Sequence, residues 1–394
     1  MSNVKLQFLS AILLLASATA SGQDERVIRV YLPTGPGHAL HVRGQGAGLS
    51  WDEGAARAMS EVPPGSGNWE LRLSSRERAE FKILVDNRVW MSGGNRVIAP
   101  GESASLAVPE FDFPKGSVEA VQLKAPHGAQ GTRTIRIYRP PGHDFAAREP
   151  YPLMLALDGQ EFFDAGWSAG VTLDQAIGLG LRKPTVAVAI DNPGNHADRV
   201  WEMTTEGSVP HRFKGGGVGS LASWIKEVVL PYASAHARAD TSPENVTAVG
   251  SSMAATAWVG IGARTGIAKN YHLPSGAYWW WTDEELEREV ASLRARSPGA
   301  KFYVTVGRQE SADPGIRREQ IESSERLMRA LEKTGAVRGR DFVHLEVPEG
   351  THAARDWRPQ LFSSLASPFW NGPVRDCLTE EFHRLMRFRQ RFFE

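Results

Sequence analysis

From residue 134 onward, short strand-like runs alternate with stretches of helical spacing, a pattern that few folds can hold. The runs lie at 134–138, 153–157, 185–190, 246–249, 301–306 and 342–347. Between them, 220–237, 252–263 and 317–334 repeat apolar residues at helical intervals, as in Leu221, Trp224, Ile225, Val228, Val229 and Tyr232. A further helix at 360–367 closes the region. Strands alternating with helices imply a mostly parallel sheet with helices on both faces, an α/β architecture. Upstream the pattern differs. Strands at 27–32, 39–43, 69–73, 79–85 and 103–108 alternate apolar and polar positions. Turn residues such as Pro63-Pro64-Gly65 and Ser92-Gly93-Gly94-Asn95 separate them. Such strands close most simply into a small all-β sandwich. The expected organisation is a sandwich at 26–112, a Pro- and Gly-rich linker at 113–131, an α/β domain at 132–370 and a helical tail at 371–394.

The first 22 residues read as an export signal. Lys5 precedes the apolar run 6–16, and the small residues Ala18, Thr19, Ala20, Ser21 and Gly22 follow. The run is shorter than the ~20 residues a membrane span needs. The mature protein is therefore expected to be periplasmic or secreted, with no transmembrane span. Its single cysteine, Cys377, excludes an internal disulfide and any CxxC site. Lys plus Arg equals Asp plus Glu at 45 each, so overall charge gives no reason to expect a nucleic-acid partner. No HExxH is present and the histidines are scattered, so neither a catalytic metal nor another cofactor is expected. Gly215-Gly216-Gly217-Val218-Gly219 lacks a preceding strand and a following Lys, and reads as a loop rather than a phosphate cradle.

Chemistry concentrates at three strand ends. Val249-Gly250-Ser251-Ser252-Met253-Ala254 joins a β-branched strand to a helix, the context of a nucleophile elbow. Ser252 has the small residues Gly250 and Ala254 two positions to either side, which a strained turn requires. Glu310 follows the strand at 301–306 and is the candidate acid, with Asp313 as the alternative. His352 follows the last strand in Gly350-Thr351-His352. The order Ser, acid, His is that of α/β-hydrolases. In such a site Ser252 attacks an ester carbonyl, His352 takes its proton and Glu310 fixes the imidazole tautomer. The oxyanion would be bound by the backbone N–H of Met253 and by that of Gln160 or Gly159, which follow the strand at 153–157.

Several strings in one order strengthen this reading. They are Leu157-Asp158-Gly159-Gln160, Ala189-Ile190-Asp191 with Arg199 and Glu202-Met203, Gly250-Ser251-Ser252-Met253, Ser275-Gly276-Ala277-Tyr278-Trp279-Trp280, Gly307-Arg308-Gln309-Glu310 and Gly350-Thr351-His352 with Trp357-Arg358. Over residues 132–367 the chain resembles the enterochelin-esterase and esterase D group of α/β-hydrolases, leaning toward the enterochelin-esterase branch. It departs at Ala254 and Thr351, where glycine is usual. The first domain resembles a starch-binding-type carbohydrate module or the early-set sandwich that precedes such esterases. Within it, Trp51 and Trp90 either stack on a sugar ring or an arene, or pack the sandwich.

The resemblance implies a siderophore ester or lactone as substrate. Ferric catecholates are anionic, so cations are expected near the serine, with Arg199, Arg355 and Arg358 as candidates. A structural pairing of Arg199 with Glu202 is the alternative. Trp279, Trp280 and Trp281 are candidates for an aromatic wall of which at most two line the site, and Trp357 is a further candidate for substrate contact. Consecutive Trp279, Trp280 and Trp281 at a strand end would not all face one way. A second reading is an acyl or feruloyl esterase acting on polysaccharide. A third is a non-catalytic glycan-binding protein on a hydrolase scaffold. The tail sets Arg384, Arg387, Arg389 and Arg391 among Phe382, Leu385, Phe388 and Phe392, the pattern of a basic amphipathic helix.

Overall fold

A computed structural model describes residues 26–126, 131–164, 166–205 and 214–371. The stretch read as an export signal, residues 1–22, and residues 372–394 of the tail lie outside these residues.

Two sheets form the N-terminal part. One runs in the order 60–61, 68–72, 27–31, 104–107, and the other carries 57–58, 40–45, 79–85, 89–90 and 96–98. Alternate residues turn inward, as the pleat demands. Ile28, Val30, Val42, Trp69, Leu71, Phe81, Ile83 and Leu106 make one apolar core between the sheets. Trp69 fills it and donates its indole N–H to the Leu32 carbonyl at 3.0 Å. Trp51 and Trp90 stand outside that core, half-buried. Their rings lie 6.5 Å apart, and the Arg43 guanidinium sits 5.3 Å from the Trp90 ring.

The main sheet has eight principal strands: β1 (Ser117–Lys124), β2 (Thr132–Arg139), β3 (Tyr151–Leu157), β4 (Val186–Ile190), β5 (Val246–Val249), β6 (Asn270–Pro274), β7 (Lys301–Gly307) and β8 (Phe342–Val347). Their order is β1-β2-β4-β3-β5-β6-β7-β8, with Ala239–Asp240 paired beside β3. From β4 to β8 neighbours are parallel, while β2 is antiparallel to both β1 and β4. The stretch read as linker thus carries the outer strand of this sheet.

The helices are α1 (Gly159–Phe162), α2 (Ala169–Gly178), α3 (His196–Met203), α4 (Val218–Trp224), α5 (Leu230–Ala237), α6 (Met253–Thr265), α7 (Asp283–Arg296), α8 (Pro314–Lys333) and α9 (Ala354–Ala366). A π-helical turn, Ile225–Val229, joins α4 to α5. Pro231 follows it, and the wider turn accommodates a residue with no N–H to give the ladder. Apolar side chains cover the two faces of the sheet in separate clusters. One includes Leu153, Leu155, Val188, Val246 and Trp258, the other Met154, Ala156, Ala187, Trp167 and Trp357. This is the α/β-hydrolase architecture, preceded by a β-sandwich.

The two parts share apolar contacts. Leu179, after α2, and Phe362, on α9, belong to the sandwich core. Tyr31 of the sandwich packs in a cluster with Val343, Leu345 and Val347 of β8. The backbone N–H and carbonyl of Phe111 both bond the Gln175 side-chain amide, at 3.1 and 2.6 Å.

Candidate active site

The carboxyl ends of parallel strands gather the chemistry, because each loop there leaves the sheet on the same edge. At the end of β5 the chain turns so sharply that Ser252 takes φ 55° and ψ −126°, a backbone region non-glycine residues rarely occupy. Position 250 has to be glycine. A Cβ there would lie 2.9 Å from both the Ala254 Cβ and Trp258 Cδ1. That glycine is also what leaves room for Ala254 where a second glycine was expected. Trp258 fastens α6 to β5 by donating its indole N–H to the Val249 carbonyl at 2.7 Å. Ser251 is buried and Ser252 is half-buried, so Ser252 is the serine with access to a substrate. Met253 opens α6, and its N–H is among the first-turn donors that a helix leaves without an internal acceptor.

Glu310 sits in the turn after β7 with its side chain 1% exposed. Its Oε2 lies 2.6 Å from His352 Nδ1. Its Oε1 accepts the Gly307 N–H at 2.6 Å and the Ser275 hydroxyl at 2.7 Å. Three donors around one carboxylate compensate its removal from water. Asp313 is occupied elsewhere: it caps α8, accepting the N–H groups of Gly315 and Ile316 at 2.7 and 3.1 Å, ahead of Pro314. The structure therefore brings Glu310, not Asp313, to His352.

The acid and histidine loops touch through two glycines. A Cβ at Gly307 would fall 2.1 Å from the Gly350 carbonyl oxygen, and Gln309 N–H donates to that same oxygen at 2.9 Å. Asp356 then holds the histidine loop, accepting the Thr351 N–H at 2.8 Å and the Thr351 hydroxyl. The His352 side chain remains 34% exposed. Trp357 meets it edge to face, ring centres 5.2 Å apart. Trp357 is itself buried, with Trp167 5.6 Å away and Phe162 behind that.

Gly159 and Gln160 open the short helix α1 after β3, and the preceding Asp158 is left-handed at φ 56°. Two partners hold Asp158. Arg199 donates to both its oxygens at 2.8 and 2.7 Å, and Asn192 Nδ2 donates at 2.7 Å. The Gln160 side chain accepts the Asn192 N–H at 2.9 Å. Arg199 is thus paired with Asp158, not Glu202, whose partner is Arg133 at 2.7 Å. The reason is reach: both nitrogens of the Arg199 fork find the two oxygens of one carboxylate. Arg358 pairs with Glu110 of the N-terminal part. Arg355 lies 4.0 Å from Asp356 and is largely exposed.

Trp279 and Trp280 do not extend a strand. They lie in the 3-10 turn Tyr278–Trp280 after β6, stacked with centres 4.9 Å apart. Trp280 is buried, whereas Trp279 is half-buried with its indole N–H on Gln320 of α8 at 3.2 Å. Trp281 is buried as well. Gly215 and Gly217 pack tightly instead of cradling an anion: Cβ atoms there would meet the Thr205 carbonyl oxygen at 2.3 Å and the Trp201 ring at 2.7 Å.

Sequence reading singled out no role for Ser275, Gln320 or Asp356. Ser275 stood within a quoted string, but only three-dimensional contact reveals its partner 35 positions away. Among the described residues no group of three His, Cys, Asp or Glu side chains is placed to hold a metal ion, and no helix is long and apolar enough to cross a membrane.

The chain matches the family model Esterase, described as "Putative esterase", over residues 127–367. Solved structures of similar fold include ferric enterobactin esterase (fes) from Salmonella typhimurium, with TM-score 0.51 and 16% identity over 88% of this chain and 93% of that one. The enterobactin esterase FES from Shigella flexneri, in the presence of enterobactin, gives TM-score 0.50 and 16% identity over 86% and 89%. The BES protein from Bacillus cereus gives TM-score 0.50 and 18% identity over 63% and 93%. The first two likenesses span more of this chain than residues 127–367, so they take in the N-terminal sheets as well. No curated protein sequence matches the chain.

Proposed function

The chain belongs to the esterase family of carboxylic ester hydrolases, and from that premise we propose that Ser252, Glu310 and His352 form its catalytic triad. The observation that carries this is the 2.6 Å contact from His352 Nδ1 to the buried Glu310 carboxylate, which is joined through residues 274–277 to a serine held at an elbow. With Nδ1 committed to Glu310, Nε2 is the nitrogen left to act as base. Ser252 Oγ attacks the ester carbonyl carbon as its proton passes to Nε2, and Glu310 stabilises the imidazolium. The tetrahedral oxyanion is received by the Met253 N–H and by Gly159 or Gln160 N–H from the loop that Asp158, Asn192 and Arg199 hold. The imidazolium protonates the leaving alcohol, an acyl-enzyme remains, and water cleaves it by the reverse route.

For substrate, we propose a siderophore ester or lactone, acted on outside the cytoplasm. Three things support this: the strings of the enterochelin-esterase branch, the shared two-part fold of the two enterobactin esterases, and the signal-like first 22 residues. One observation favours the second reading, an acyl or feruloyl ester on polysaccharide. The candidate cations Arg199 and Arg358 each carry a carboxylate partner, and Arg355 lies beside Asp356, which leaves less positive charge for a ferric catecholate. The test is a paired hydrolysis assay beside Ser252→Ala, with catecholate trilactone, ferric and iron-free, against methyl ferulate and acetylated xylan. Serine-dependent release of catecholoyl-serine supports the first reading. Serine-dependent ferulate or acetate release with no trilactone turnover overturns it. Full activity in Ser252→Ala overturns the triad.

A further inference from the structure

We propose that Ser275 is a positioning residue that holds the triad acid, on a loop whose backbone also holds the nucleophile. This rests on the triad reading above. Ser275 is fully buried and adopts φ 51°, a backbone setting that suits glycine and costs any other residue. A serine standing there calls for a reason, and its hydroxyl supplies one. The oxygen accepts the Trp357 indole N–H at 3.0 Å, and the hydroxyl lies 2.7 Å from Glu310 Oε1. The direction of both bonds follows from chemistry. An indole nitrogen only donates and a carboxylate only accepts, so the Ser275 proton has to point at Glu310.

The contacts close a ring. Trp357 bonds Ser275, Ser275 bonds Glu310, Glu310 bonds His352, and the His352 ring meets Trp357 edge to face. The backbone of the same loop grips the nucleophile. Ser252 N–H donates to the Pro274 carbonyl at 3.2 Å, and Ala277 N–H donates to the Ser252 carbonyl at 3.0 Å. From outside, Gln320 Nε2 fixes the loop through the Ser275 and Gly276 carbonyls at 2.7 and 3.1 Å. Four residues, 274–277, therefore set the nucleophile through its backbone and the acid through one hydroxyl. The hydroxyl also draws charge density toward Oε1 and away from the oxygen facing His352.

Ser275→Gly relieves the backbone while deleting the hydroxyl, Ser275→Ala deletes it without relief, and Ser275→Cys keeps a weak donor. The assay is steady-state hydrolysis of p-nitrophenyl butyrate from pH 5 to 9, with thermal unfolding measured in parallel. The expected result is that kcat falls about tenfold or more in Gly and Ala, less in Cys, with KM within twofold of wild type. The acid limb of kcat/KM, which reports His352, moves to higher pH in Gly and Ala, because the uncompensated carboxylate favours the imidazolium. The kcat order does not follow the order of thermal stability. Wild-type kcat in Ser275→Gly, an acid limb that stays put or moves down, or a kcat loss that simply tracks unfolding overturns the proposal. A Ser252→Ala protein that retains activity would instead strike the triad itself, so the two failures are distinguishable.

Discussion

Replacing Glu310 by Gln alters the site by one atom, and the surroundings dictate which way the amide points. Oε1 receives the Gly307 N–H at 2.6 Å and the Ser275 hydroxyl at 2.7 Å. Gly307 N–H can only donate, and the Ser275 oxygen already accepts from Trp357. An amide NH2 placed there would face two donors, so the Gln carbonyl has to occupy that side. Its NH2 then faces His352 Nδ1, which has to become an acceptor. The imidazole proton moves to Nε2, the tautomer that cannot take a proton from Ser252. In a serine protease the corresponding change costs about 10⁴ in kcat. Here we expect a loss of 10³ to 10⁴, or about 4–5 kcal/mol of transition-state stabilisation. The assay is kcat on p-nitrophenyl butyrate at pH 7.5, with circular dichroism and thermal unfolding as controls. A folded Glu310→Gln protein whose kcat stays within tenfold of wild type refutes the reasoning.

Three further outcomes follow from the same geometry. Burial lowers the His272 imidazole to a pKa of about 3, below its ordinary value of 6.5, and neither ring nitrogen has a hydrogen-bond partner. The unfolded chain binds that proton first, so stability falls as pH drops below about 6.5. At pH 4.5 the loss is about 3 kcal/mol, and His272→Leu should flatten the acid side of a urea-derived stability profile. An unchanged slope would contradict this. Gly307→Ala drives a methyl into the Gly350 backbone, and overpacking of this kind costs about 1–3 kcal/mol. It should also separate Glu310 from His352 and lower kcat at least tenfold, as steady-state kinetics and thermal unfolding will report. The Arg358–Glu110 pair is partly exposed, so a double-mutant cycle with alanine at each position should return a coupling energy under about 1 kcal/mol.

What the sequence revealed and what it hid follows from burial. Strands β3, β4, β5 and β7 read clearly because burial on both faces gives nearly continuous apolar runs, and β8, at the end of the sheet, because Val343, Leu345 and Val347 alternate with His344 and Glu346. Strand β1 escaped because it is an edge strand, exposed over most of its length, with only Val121 and Leu123 turned toward the core. Strand β6 escaped because Asn270, His272 and Pro274 interrupt its five residues, although four of them are buried. The elbow was legible from the small flanks of Ser252. The choice between Glu310 and Asp313 was legible in principle, since Asp before Pro at the head of a helix is a capping signal. The partner of Arg199 was not, since pairing across 41 positions depends on where two loops meet. Ser275 was hidden for the same reason.

The shared core of Leu179 and Phe362 with the sandwich bears on how such a chain can be divided or exchanged. A fragment cut near residue 127 would lay bare those side chains, and with Tyr31 gone the Val343, Leu345 and Val347 face of β8 as well. Grafting a foreign sandwich onto this hydrolase sheet would face the mirror problem, for Gln175 would need a Phe111 backbone to clasp. The two parts are thus fitted to one another, and their shared surface, more than either core alone, limits which foreign pieces this chain could accept.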